Sequence, residues 1–156
     1  MTITAADIMT SPAIVAAPET TMAQVASMLA SNRISAVPIC APDDTLLGIV
    51  SEGDILKPFS ESFRRRREWW AGVVAEGESL PRDFIEYLRA DARTAADVMV
   101  RHVIAAEEDM TLPELAELMT RHGIKRLPVL RQGKVVGIVS RSDLVKAVAK
   151  SQLKPE

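Results

Sequence analysis

The feature that most restricts the fold of this chain is a repeat. Gly48-Ile49-Val50-Ser51-Glu52-Gly53-Asp54 returns as Gly137-Ile138-Val139-Ser140-Arg141-Ser142-Asp143. In each copy a glycine precedes a short β-branched run, and a serine follows with an aspartate three residues later, ahead of a helical pattern. That order reads as a strand ending at a helix N-terminus. Two copies of it call for one structural plan used twice.

The repetition extends well beyond the motif. Thr4-Ala5-Ala6-Asp7-Ile8-Met9 recurs as Thr94-Ala95-Ala96-Asp97-Val98-Met99, an offset of 90 positions, and each copy reads as a short helical turn. Ala13–Ala16 and Val103–Ala106 follow as short apolar strands. Thr21-x-x-Gln24 and Thr111-x-x-Glu114 are capping boxes that start two helices in register, the second with Pro113 early, where a missing N–H costs little. Met22, Val25, Met28 and Leu29, matched by Leu112, Leu115, Leu118 and Met119, keep helical periodicity and read as core. Gly123 is a natural stop for the second helix.

After the helices, Pro38 and Pro128 stand at the same offset in strands running to Cys40 and Leu130, where a proline argues for a strand start or a sheet edge. Hairpin turns at Ala41–Thr45 and Arg131–Lys134 lead to returning strands at Leu46–Val50 and Val135–Val139. The offset falls to 89 between the hairpin tips, which is where a duplication absorbs a length change at small free-energy cost. Each repeat therefore reads as a helical turn followed by β, α, β, β, α.

Two physical readings of Ser-x-x-Asp stand side by side. In one it is a capping box, the serine hydroxyl accepting from an early helix N–H and the acid answering the serine N–H. In the other the helix start offers N–H groups and a positive dipole end to a phosphate, and the fixed carboxylate accepts from both hydroxyls of a ribose.

Composition excludes several function classes. With 19 basic and 21 acidic residues the net charge is -2, so no global field draws nucleic acid or membrane, and any basic site must be local. Cys40 is the single cysteine, expected as a buried strand residue, so an intrachain disulfide is impossible. No apolar run approaches the roughly 20 residues of a membrane span. The N-terminus lacks a secretory pattern, so the expected setting is cytoplasmic. His102 and His122 lie without a cysteine or clustered carboxylates nearby, which argues against a transition-metal site. Neither serine sits in a Gly-x-Ser-x-Gly elbow, and phosphate-loop and dinucleotide fingerprints are missing. No catalytic constellation is visible, so the expectation is a protein that is not an enzyme.

Residues 58–92 have no counterpart after the second repeat. Ser60–Ala75 and Ser79–Ala90 read as helices separated by Gly77, the second with Leu80, Phe84, Tyr87 and Leu88 on one face. Arg64–Arg67 followed by Trp69 and Trp70 could grip phosphates and stack bases. Consecutive arginines on a helix point in different directions, however, so a solvated face with tryptophans packed on the core or at a subunit contact is the competing account.

With both repeats in view, the chain resembles a tandem pair of cystathionine-β-synthase (CBS) domains. The resemblance is carried by Ile34-x-x-x-Pro38 and Ile124-x-x-x-Pro128, a hairpin after each, and the two Gly-Ile-Val-Ser-x-x-Asp units. It implies an α/β (α+β) fold of two pseudo-twofold-related β-α-β-β-α repeats with a helical insertion between them. The divisions are 1–57 for the first repeat, 58–92 for the insertion, 93–150 for the second repeat and 151–156 for a tail.

The resemblance also implies clefts between repeats that take AMP, ADP, ATP or another adenosyl compound such as S-adenosylmethionine as a regulatory ligand, with no cofactor required. Carried over, Asp143 would hold the ribose, with Ser140 and Ser142 on the phosphate side and Ile138 beside them. Ile14, Ile34, Ser35 and Ala36 would line the adenine pocket, and Lys125 and Arg126 would face phosphates. A second, weaker site would use Ser51, Asp54, Ile104 and Ile124, where Gly53 replaces a hydroxyl and Glu52 adds negative charge.

The expected partners are an adenosyl small molecule, a second copy in a homodimer and an effector protein. A ligand-free oligomerisation scaffold and a nucleic-acid binder using Arg64–Arg67 remain the rival readings.

Overall fold

A computed structural model describes residues 2–56 and 92–153, with side chains to residue 151. The helices Ser60–Ala75 and Ser79–Ala90, Arg64–Arg67, Trp69 and Trp70 lie outside the described residues. In order, the elements are α1 (Ala5–Ile8), α2 (Met22–Asn32), β1 (Ala36–Cys40), β2 (Leu46–Ser51), a helical stretch over 52–56, α3 (Ala95–Val98), β3 (Ala106–Glu107), α4 (Leu112–His122), β4 (Arg126–Arg131), β5 (Lys134–Ser140) and α5 (Arg141–Leu153). This is the mixed α/β architecture expected from the repeat.

The described residues gather into two compact units that cross the repeat boundaries. One holds residues 2–15, 40–47 and 102–153 and is called the Ser140 unit below. The other holds 16–39, 48–56 and 92–101 and is called the Ser51 unit.

In the Ser140 unit, β4 lies between β3, to which it is parallel, and β5, to which it is antiparallel. Leu127, Val129 and Val139 from the sheet, Leu115 and Met119 from α4 and Leu144 from α5 close a buried core on Ala5 of α1. The first helical turn of the chain is therefore built into the core that houses the second copy of the motif. Its amides dock it: Ala5 N–H donates to the Met110 carbonyl at 2.8 Å and Ala6 N–H to Glu108 at 3.0 Å.

The Ser51 unit repeats the device. Met22, Val25 and Leu29 from α2 pack with Val37, Ile39, Val50 and Ile55 around Ala95 of α3. Ala95 N–H donates to Thr20 at 2.8 Å and Ala96 N–H to Pro18 at 2.9 Å. Each TAAD turn thus docks on the core of the other copy.

The glycine of each motif is explained by what lies over it. The segment after α1 crosses β5, where Thr10 and Ile138 exchange two backbone hydrogen bonds of 2.9 and 3.0 Å. A Cβ on Gly137 would meet Met9 Cγ at 2.9 Å, and one on Gly48 would meet Met99 Cγ at 2.8 Å, closer than real side chains approach. Glycine admits that close passage because it has no Cβ.

Pro128 sits opposite Ile138, whose N–H and C=O both turn away to Thr10. The pair is therefore a non-hydrogen-bonded one. Pro128 also lies just ahead of the two β4 residues that β3 pairs, so its missing N–H leaves no ladder bond unmade on either side. The proline is tolerated inside a central strand because it is locally an edge position.

The expected strands at Ala13–Ala16 and Val103–Ala106 are shorter than their apolar runs. The first is reduced to one parallel bridge between Ala16 and Ile39, and the second survives only from Ala106. Among the described residues, only Ala16, whose N–H donates to the Pro38 carbonyl at 3.0 Å, and Ala106 of these two runs meet a strand. The second hairpin tip has positive φ at Gln132 and Gly133, the pattern of a two-residue type I′ turn. Cys40 is buried in β1, and burial together with the Asp44 charge pushes its thiol up to about 11.

Candidate functional site

The strand-to-helix turns at Ser140 and Ser51 are the candidate sites. At the first, Ser140 N–H donates to Asp143 Oδ2 at 2.8 Å and Asp143 N–H donates to Ser140 Oγ at 3.2 Å, a reciprocal capping box at the start of α5. At the second, Ser51 N–H and Oγ both donate to Asp54 Oδ2, at 2.9 and 3.1 Å. Four further boxes of the same spacing open the other helices, at Thr4, Thr21, Thr94 and Thr111.

The cap engages one carboxylate oxygen only. Among the described residues nothing donates to Oδ1 of Asp143 or of Asp54, and both carboxylates are half-buried. Capping and ligand recognition are therefore compatible: one oxygen fixes the side chain, and the other stays available to hydroxyl donors.

In the Ser140 unit, Arg126 is the cross-strand partner of Ser140, and the amide of Arg141 donates to the Lys125 carbonyl at 3.0 Å. The structure thus brings Lys125 and Arg126 to the Ser140–Asp143 turn. Ser142 is exposed on the first turn of α5 with an unengaged hydroxyl. Ile138 is half-buried two residues before Ser140. Ile14, Ile104 and Ile124 belong to the same unit, Ile14 being 37% exposed. Ile34, Ser35 and Ala36, all half-buried at the start of β1, belong to the Ser51 unit with Ser51 and Asp54.

Arg141 is a further basic residue at this turn. Its Nε donates to the Ile124 carbonyl at 3.2 Å, which holds the guanidinium beside the start of β4. The signal was present in the motif itself, since Arg141 stands where the first copy has Glu52. His102 and His122 are both exposed, and no group of three or more His, Cys, Asp or Glu side chains gathers among the described residues. No helix among them is long and apolar enough to cross a membrane.

Comparison with known proteins decides the family. The CBS domain model matches twice, over residues 5–61 and 95–150. The chain belongs to the CBS domain family. Protein MJ1426 of Methanocaldococcus jannaschii is 34% identical over 164 residues, covering 91% of this chain and 89% of that one.

Solved CBS pairs share the fold. CBSX2, crystallised in complex with AMP, superposes with a TM-score of 0.72 at 21% identity, covering 96% of this chain and 98% of its own. The CBS domain pair of protein MJ0100, crystallised with 5-methylthioadenosine and S-adenosyl-L-methionine, gives 0.69 at 24% identity, covering 97% and 99%. At those identities the likeness is one of fold, and the two matched stretches are the two CBS repeats.

Proposed function

We propose that this CBS pair is a non-enzymatic regulatory module that binds an adenosyl compound at the Ser140–Asp143 turn and signals occupancy through the geometry of a homodimer. The observation that carries the reading is the divided use of the Asp143 carboxylate: Oδ2 is held by the cap and Oδ1 is left for a ribose diol. Lys125 and Arg126 beside the turn supply positive charge for a phosphate. The relatives support the ligand class, because CBSX2 was crystallised with AMP and the MJ0100 pair with two adenosyl compounds.

In this reading Ile14, Ile138, Ser140 and Ser142, all of the Ser140 unit, border the ligand. Ser51 and Asp54 of the Ser51 unit form a second, weaker site. Signalling of this kind is a shift between populations, so the ligand must bind the two states with different affinity. The cytoplasm, where adenine nucleotides are available, is the proposed setting.

A second reading has its own observation. The capping box accounts for Ser140 and Asp143 with no ligand at all, and α5 exposes Val145 and Val148, which are 67% and 50% accessible. A scaffold that dimerises without a ligand would need nothing more.

Thermal unfolding of the chain with AMP, ADP, ATP, S-adenosylmethionine and a non-adenine nucleotide separates the two. A ligand at 100 times its dissociation constant stabilises the native state by about 2.7 kcal/mol. Asp143→Asn keeps an oxygen for the Ser140 amide and turns the other acceptor into a donor. It should fold normally and lose the shift. No shift with any adenosyl compound leaves the scaffold reading standing.

A further inference from the structure

The two turns have the same backbone and opposite charge. Arg141 N–H donates to the Lys125 carbonyl at 3.0 Å, and its counterpart Glu52 N–H donates to the Ser35 carbonyl at 2.9 Å. Superimposed on that shared frame, the Ser140 turn carries Lys125, Arg126 and Arg141, and the Ser51 turn carries Ser35, Ala36 and Glu52. Three cations in one copy become two neutral residues and an anion in the other.

The three cations are neighbours along the backbone, and none is neutralised. Arg126 stands directly opposite Ser140, Lys125 just ahead of β4 and Arg141 at the first residue of α5. Among the described residues, the ion pairs are Arg121 with Glu117 and Arg131 with Glu108, so none of the three has a carboxylate partner. Arg141 donates only Nε to the Ile124 carbonyl, so its two terminal nitrogens remain free. A surface arginine without a partner is common. Three unpaired cations on the backbone of one strand-to-helix turn, beside a serine with a free hydroxyl at the first turn of a 13-residue helix, offer positive charge to an anion.

We infer that Lys125, Arg126 and Arg141 make the Ser140 turn selective for nucleotides with a polyphosphate tail, with Arg141 as the residue that discriminates by phosphate number, while Glu52 disfavours phosphate at the Ser51 turn. The inference rests on the adenosyl reading above and specifies its ligand. A monophosphate has charge to satisfy one or two of these cations. Each further phosphate adds negative charge that the third can meet, so selectivity should grow from AMP to ADP to ATP and weaken as salt screens it.

The test is a magnesium-free titration of the full chain with AMP, ADP and ATP by calorimetry, at low and high salt. Alongside it go the variants Arg141→Glu, which copies the first repeat, and Arg141→Gln, which removes charge at similar length. Far-UV circular dichroism reports whether each is folded.

The wild type should prefer ATP to AMP. Arg141→Glu should weaken ATP by roughly tenfold or more, as expected for a reversed charge at close range. Its AMP affinity should change by less than about threefold, and Arg141→Gln should fall between. Equal losses for AMP and ATP, or an unchanged ATP affinity, would overturn the selectivity and leave the adenosyl reading intact. Absence of binding by all three nucleotides to the wild type would overturn both.

Discussion

At the Ser140 turn the chain places Lys125, Arg126 and Arg141 on a backbone that, at the Ser51 turn, carries Ser35, Ala36 and Glu52, with the bridging amide bond unchanged at 3.0 and 2.9 Å. The two units keep the same docked TAAD turn, the same glycine under a methionine and the same half-engaged aspartate. They diverge at exposed or half-buried positions of the turn. Geometry is thus held by buried contacts that a substitution disrupts, while charge at the turn is free to differ because no core residue depends on it. A duplicated fold can in this way keep one geometry twice and give the two copies different charge.

The largest expected effect falls on what the units share. Gly137→Ala and Gly48→Ala each place a Cβ against a methionine and against a backbone carbonyl, of Thr10 at 3.0 Å and of Val100 at 2.9 Å. Those carbonyls belong to paired backbone bonds and cannot move freely. Each substitution should cost about 1–3 kcal/mol, read as a lower urea midpoint. Similar losses in both units uphold the common plan. A loss in only one would show that the two methionine seats are not equivalent.

Much of this was legible in the sequence, and the exceptions have causes. Thr21 with Gln24 and Thr111 with Glu114 form the capping boxes that their spacing announces, because a cap is a matter of four neighbouring residues. The Ser-x-x-Asp turns likewise form where the motif puts them. What the spacing could not reveal was the exchange: that Met9 lies over Gly137 and Met99 over Gly48. Both members of each pair were visible as repeats, but the pairing is a long-range choice that local pattern does not encode. The role proposed for Arg141 was hidden differently, since a lone exposed arginine means little until Lys125 and Arg126 are seen opposite it.

A smaller effect tests how each unit ends its helix. α4 stops at Gly123 with φ 61, and α2 stops at Arg33 with φ 53, the same left-handed cap on a residue with a Cβ. Gly123→Ala should destabilise by about 1 kcal/mol. Arg33→Gly should stabilise by less than about 1 kcal/mol, because the relief of left-handed strain is partly offset by the greater freedom of glycine in the unfolded chain. Midpoints of urea unfolding measure both. If Arg33→Gly were instead destabilising, the Arg33 side chain would have to contribute more than its backbone costs, and the two helix ends would not be equivalent.

The smallest effect belongs to a pair that only the Ser140 unit has. Arg131 grips Glu108 through Nε and Nη2, both at 2.6 Å, while the corresponding positions of the first repeat are Ala41 and Pro18. The hydrogen bond and charge of Arg131 hold the Glu108 carboxyl below its ordinary 4.5. A carboxylate lowered in the native state contributes stability that is fully present above its unfolded value and is lost as pH falls through the native one. Glu108→Gln should therefore lower the urea midpoint slightly at neutral pH, and the difference from wild type should vanish well below pH 4.5. Because the pair is exposed to solvent, high salt should shrink the neutral-pH difference as well. A difference that persisted in acid would mean that Glu108 acts through packing at the Ala6 docking point rather than through its charge, and the unit would then owe its extra contact to shape.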